Sequence, residues 1–110
     1  MSLVTVKNIN RKNLDAPKCG CSDWITHWKK NSKHQLKEEC YACGKMVPKS
    51  KLVGGHVIIE GATDNTWYIL PICHSCNAKK NGVFEVEKDF LIPVSKCDKN
   101  ASIWDRYIKE

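Results

Sequence analysis

Cys40-Tyr41-Ala42-Cys43-Gly44 and Cys73-His74-Ser75-Cys76-Asn77, with residues 45–72 between them, decide how this chain folds. Each is a C-x-x-C turn, which brings two thiolates to one side of the backbone. Two such turns supply four sulfurs at about 2.3 Å in a tetrahedron around Zn²⁺. Four closed protein ligands leave no position for a substrate, so the spacing predicts a structural zinc held by Cys40, Cys43, Cys73 and Cys76. Binding a structural zinc is worth about 10–16 kcal/mol in peptides near neutral pH, comparable to the stability of a whole small domain. The competing reading of such pairs is redox chemistry or a disulfide.

Outward from the cysteines, the chain between them reads as a β-hairpin. Pro48–Lys51 is a turn, Leu52–Glu60 is rich in β-branched residues around His56-Val57-Ile58-Ile59, Gly61–Asn65 is a second turn, and Thr66–Ile72 is a second strand. Asn77–Lys80 fits a short helix stopped by Asn81-Gly82. Upstream, Leu3–Val6 suits a short strand in an otherwise extended arm. Ser22 offers an N-cap to a helix from Asp23 to about Asn31, whose Trp24, Ile25 and Trp28 share a face. Core packing is the expected use of the two tryptophans, base stacking the alternative. Two short apolar pieces in Val83–Val94 read as strands. Ile103, Trp104, Tyr107 and Ile108 are spaced for one face of a C-terminal helix.

The chain of 110 residues is expected to be one α+β domain stapled by zinc. It divides into a basic N-terminal extension with a short helix (1–39), a zinc core (40–82), and C-terminal strands with a short helix (83–110). Seven cysteines are an odd count, the first residues lack a secretory pattern, and no apolar run reaches membrane-span length. The expected setting is therefore reducing and cytoplasmic.

Charge is concentrated in the first half. Residues 1–51 carry 11 Lys/Arg against 4 Asp/Glu, whereas residues 52–110 carry 7 against 8. A basic segment holding Lys29, Lys30 and Lys33 beside tryptophans suits a phosphate backbone, although lysines also simply solubilise small domains. Cys19, Cys21 and Cys97 lie outside the quartet. Cys19-x-Cys21 followed by His27, completed by Cys97, is a candidate second metal site; packed, reduced thiols are the alternative.

The succession Cys40-Tyr-Ala-Cys43-Gly44, Gly55-His56-Val57 and Leu70-Pro-Ile-Cys73-His-Ser-Cys76-Asn77-Ala-Lys-Lys80 resembles the zinc-containing HNH endonuclease family over roughly residues 40–82. The wider chain is also similar to small bacterial zinc proteins that join a C-x-C, a W-x-x-H-W and this core. The resemblance implies a ββα-metal core, a hairpin and helix clamped by the four-cysteine zinc. It implies nucleic acid, DNA in particular, as the partner. It places His56 as the base that activates water, facing the helix, Asn77 as a residue holding metal or phosphate, and Lys80 on phosphate; Mg²⁺ or another divalent cation would stabilise the scissile phosphate. Two positions depart from the family. Gly55 stands where an acidic metal ligand is usual, and Tyr68 stands near the place of the middle asparagine. Glu60 and Asp64 substitute only if the hairpin turn folds back. Three functions follow: a degenerate nuclease scaffold that binds nucleic acid, a non-catalytic regulator or inhibitor of a nucleic-acid enzyme of phage or mobile-element type, and an active endonuclease using His56. In the non-catalytic cases His56 and Asn77 are structural, and His74 points to solvent.

Overall fold

The computed structural model describes residues 2–9, 23–64, 66–79 and 81–95. Its framework is one antiparallel sheet built from β1 (Leu3–Asn8), β2 (Leu52–Ile59), β3 (Tyr68–Cys73), β4 (Val83–Glu87) and β5 (Ile92–Pro93), in the order β4-β1-β2-β3-β5. Two helices accompany it, α1 (Trp24–Asn31) and α2 (His74–Ala78). The α+β class and the central hairpin match the sequence expectation: β2 and β3 pair from Leu52 opposite Cys73 to Val57 opposite Tyr68.

Each face of the sheet has its own cover, and strand alternation decides which residue meets which. On one face Val57, Leu70, Ile72, Val6 and Val86 form a core with Cys40, Cys73 and Cys76. On the other, Ile69 and Ile92 pack with Trp28 of α1. Contact between α1 and β2 depends on the absence of a side chain. A Cβ at Gly54 would lie 2.7 Å from the Trp24 carbonyl carbon and 2.8 Å from the Ile25 nitrogen. Trp28 is fully buried, and its indole N–H donates to the Phe90 carbonyl at 2.7 Å. The tryptophan is therefore core, as its helical spacing implies.

Three details depart from expectation. The segment read as an extension contributes an interior strand, because β1 lies between β4 and β2 and pairs with both. The α1 N-cap is Asp23 rather than Ser22: its Oδ1 accepts from the Thr26 backbone N–H at 2.9 Å. And α2 begins at His74, directly after Cys73, so the second C-x-x-C turn is itself the first turn of the helix. The expected C-terminal helix lies outside the described residues. Among the described residues, no helix is long and apolar enough to cross a membrane.

Candidate metal centre

The first cysteine turn is built by backbone hydrogen bonds. The Cys40 N–H donates to the Lys45 carbonyl and the Gly44 N–H donates to the Cys40 carbonyl, both at 2.8 Å. Gly44 takes φ +77°, a left-handed conformation that glycine adopts without steric cost. A bond from the Tyr41 N–H to the Pro71 carbonyl, 2.9 Å, ties this turn to β3, whose end carries Cys73. The two turns therefore face each other across the end of the hairpin.

Their four sulfurs lie within 4.8 Å of one another. Cys40 and Cys76 Sγ are 3.8 Å apart. Four sulfurs about 2.3 Å from a central zinc ion would sit about 3.8 Å from each other by tetrahedral geometry, whereas a disulfide needs about 2.05 Å. The separation fits a shared cation. Cys40 Sγ also accepts the Cys73 N–H at 3.3 Å and the Cys43 N–H at 3.4 Å. Burial opposes a charge on Cys40, but the backbone N–H groups of Cys43, Cys73 and Ala42 outweigh it and lower its thiol to about 7. Burial pushes the Cys43 and Cys76 thiols up, and at Cys76 the neighbouring thiols add to the effect. A divalent cation between the sulfurs would favour the thiolate at Cys43 and Cys76, whose ionisation is otherwise opposed. The four residues can hold a metal ion such as zinc, and they are the residues the sequence spacing nominates.

Asn8 was not nominated by the sequence, yet it holds the second turn in place. Its Nδ2 lies 2.9 Å from the Cys76 carbonyl, 3.0 Å from that of Asn77 and 3.0 Å from that of Lys79, satisfying the end of α2. Its own N–H and C=O bond Gly82 and Asn81. A signal was present: Val4, Val6 and Asn8 alternate along β1, so a polar residue falls in the inward register.

The remaining nominated residues are not gathered there. His56 is 6% exposed and lies on the α1 side of the sheet, its ring edge-on to Trp24 with centroids 4.8 Å apart. Asn77 lies on the opposite side, where its Oδ1 would be 3.4 Å from a Cβ at Gly55. Adjacent strand residues point to opposite faces, so His56 and Gly55 cannot both face α2. Burial, and secondarily the charge of His27, pushes the His56 imidazole down to about 4. An acidic side chain at Gly55 would run into Ile72, whose Cδ1 and Cγ1 an added Cβ would meet. Glu60 and Asp64 line a separate pocket with Ile58, Ile59 and Trp67. Among the described residues, the quartet is the one cluster of three or more potential metal ligands. His74 is exposed, as expected for a residue between two ligands.

Lys29, Lys30 and Lys33 are exposed on and just after α1. Lys29 and Lys33, with Lys49, line an open groove of about 1080 Å³ between α1 and the start of β2; Lys30 is not part of its lining. Of the proposed second metal set, His27 is fully buried, while Cys19, Cys21 and Cys97 lie outside the described residues, as does Lys80.

No family model, curated protein or solved structure matches this chain.

Proposed function

We propose that the protein is a zinc-stapled module that binds nucleic acid, without cleaving it, through the basic groove beside α1. The carrying observation is the groove's lining: Lys29, Lys33 and Lys49 converge with His34 and Trp24, and Asp23 is the one carboxylate among the described lining residues. Lysines in a concave surface follow a phosphate backbone, and an aromatic side chain at its edge offers a stacking face. The resemblance to HNH proteins supports the same partner class. The absence of cleavage is supported by the surroundings of His56. It is buried against Trp24, it is separated from Asn77 by the sheet, and among the described residues it belongs to no cluster of three or more potential metal ligands. A general base must reach the water it activates, and a phosphate-binding cation needs oxygen ligands beside it.

The test is salt-dependent binding of labelled single- and double-stranded DNA and RNA, read by fluorescence anisotropy. Each lysine lost from a phosphate contact lowers the slope of log K against log salt by about 0.7–0.9. The triple change Lys29→Ala, Lys33→Ala, Lys49→Ala should lower it by about 2–3, while Lys30→Ala, outside the groove, leaves it nearly unchanged. Equal slopes for wild type and the triple variant would place the binding surface elsewhere. Metal-dependent cleavage abolished by His56→Ala would replace this reading with a nuclease.

A further inference from the structure

The side of the sheet away from the cysteine quartet holds two buried histidines whose ring chemistry is unfinished. His27 is fully buried in α1 and His56 is 6% exposed in β2. Both rings stand edge-on to Trp24, with centroids 5.2 Å and 4.8 Å from the indole. Both histidines therefore contact the same indole on the α1 side of the sheet. Among the described residues, two buried side-chain nitrogens or oxygens have no hydrogen-bond partner, and they are His27 Nδ1 and His56 Nε2. A buried polar atom left unpaired is destabilising and rare in folded proteins, and here two such atoms belong to rings that touch the same indole.

The hydrogen bond at the far side of His27 supplies one. Its Nε2 lies 3.1 Å from the Pro93 carbonyl oxygen. A carbonyl only accepts, so Nε2 carries a proton, and in the neutral tautomer that this leaves Nδ1 presents a bare lone pair. An imidazole that donates one N–H to a backbone carbonyl and directs its other nitrogen inward is the arrangement found at metal-ligating histidines.

We propose that His27, through Nδ1, and His56, through Nε2, ligate a second metal ion, a borderline transition-metal cation such as Zn²⁺, Co²⁺ or Ni²⁺. Imidazole nitrogens suit these ions, and Mg²⁺ or Ca²⁺ would require oxygen ligands. The site differs from the quartet in ligand type and in the face of the sheet it occupies. It assigns His56 to metal binding rather than to catalysis. It also gives His27 a partner different from the cysteines suggested by sequence order. The binding of nucleic acid plays no part in it.

Co²⁺ titration of the metal-free, reduced full-length chain tests the assignment, because tetrathiolate and imidazole coordination absorb differently. Wild type should take up two Co²⁺ per chain, and the His27→Asn and His56→Asn variants one each. Retained tetrathiolate bands in each variant show that its fold and first site survive. Independently of any variant, ¹⁵N-histidine NMR of the wild type should show two resonances, His27 Nδ1 and His56 Nε2, shifting together as the second equivalent of Zn²⁺ is added. One equivalent in wild type, a second equivalent that persists when both histidines are replaced, or unshifted resonances would each overturn the proposal.

Discussion

Gly55 and Asn8 show how far single residues shape this molecule. Gly55 is fixed by Ile72, whose Cδ1 would lie 2.3 Å from an added Cβ. Overpacking a dense core costs about 1–3 kcal/mol. Gly55→Ala should therefore lower the urea midpoint by that equivalent, and the larger, charged Gly55→Asp should lower it further without conferring cleavage. A Gly55→Ala protein as stable as wild type would mean that Ile72 yields easily. Asn8 tests the opposite case, a polar group whose removal strands its partners. Its Nδ2 serves the carbonyls of Cys76, Asn77 and Lys79. Asn8→Ala leaves them without this donor, and a loss of about 2–3 kcal/mol is expected from the price of buried unpaired groups. Equilibrium unfolding of the zinc-loaded protein would measure it; a loss under about 0.5 kcal/mol would show that the carbonyls find other donors.

At the scale of elements, α1 is positioned by its cap and by the strand beneath it. The Asp23 carboxylate is held below its usual range by its hydrogen bonds to Thr26, with Lys29 adding a smaller effect. A lowered carboxyl contributes stability that is complete above about pH 4 and fades as pH falls through the lowered value. Asp23→Ala should remove that pH dependence and cost about 1 kcal/mol at neutral pH. Gly54→Ala should be worse, since the added Cβ meets α1 backbone rather than a flexible side chain. Trp24 fluorescence would report α1 lifting from β2; an unchanged spectrum and stability would contradict the close packing. Elements defined by local signals were legible in the sequence: the hairpin from its β-branched runs, and the cysteine turns from their spacing. The interior place of β1 was not, because its pairing partners, Val57–Ile59 and Val83–Glu87, are distant in sequence. The side to which His56 points was equally hidden. Alternation fixes that it opposes Gly55, but which side α1 covers depends on tertiary packing.

Across the whole molecule, a thin sheet with a small core on each face is closed at one end by the cysteine quartet. That quartet joins the hairpin end, the first cysteine turn and α2, and Asn8 carries the tie onward into β1. Cys40, Cys43, Cys73 and Cys76 were legible because a tetrahedral metal imposes a short local motif twice. The groove was half legible: Lys29 and Lys33 fall in the basic segment, but Lys49 joins them only through folding. Replacing a ligand, as in Cys76→Ser, should abolish the tetrathiolate site and leave the chain largely unfolded at room temperature, since zinc binding and folding free energy are linked. Circular dichroism should then show loss of the sheet, whereas a native spectrum and melting temperature would make the metal dispensable. The most direct test of the central claim is the first equivalent of Co²⁺ added to reduced, metal-free protein. The account predicts thiolate-to-metal charge-transfer bands and tetrahedral d–d bands of four-sulfur type, saturating at the first equivalent together with the gain of sheet structure. A fully folded metal-free protein that gives no such bands would contradict it.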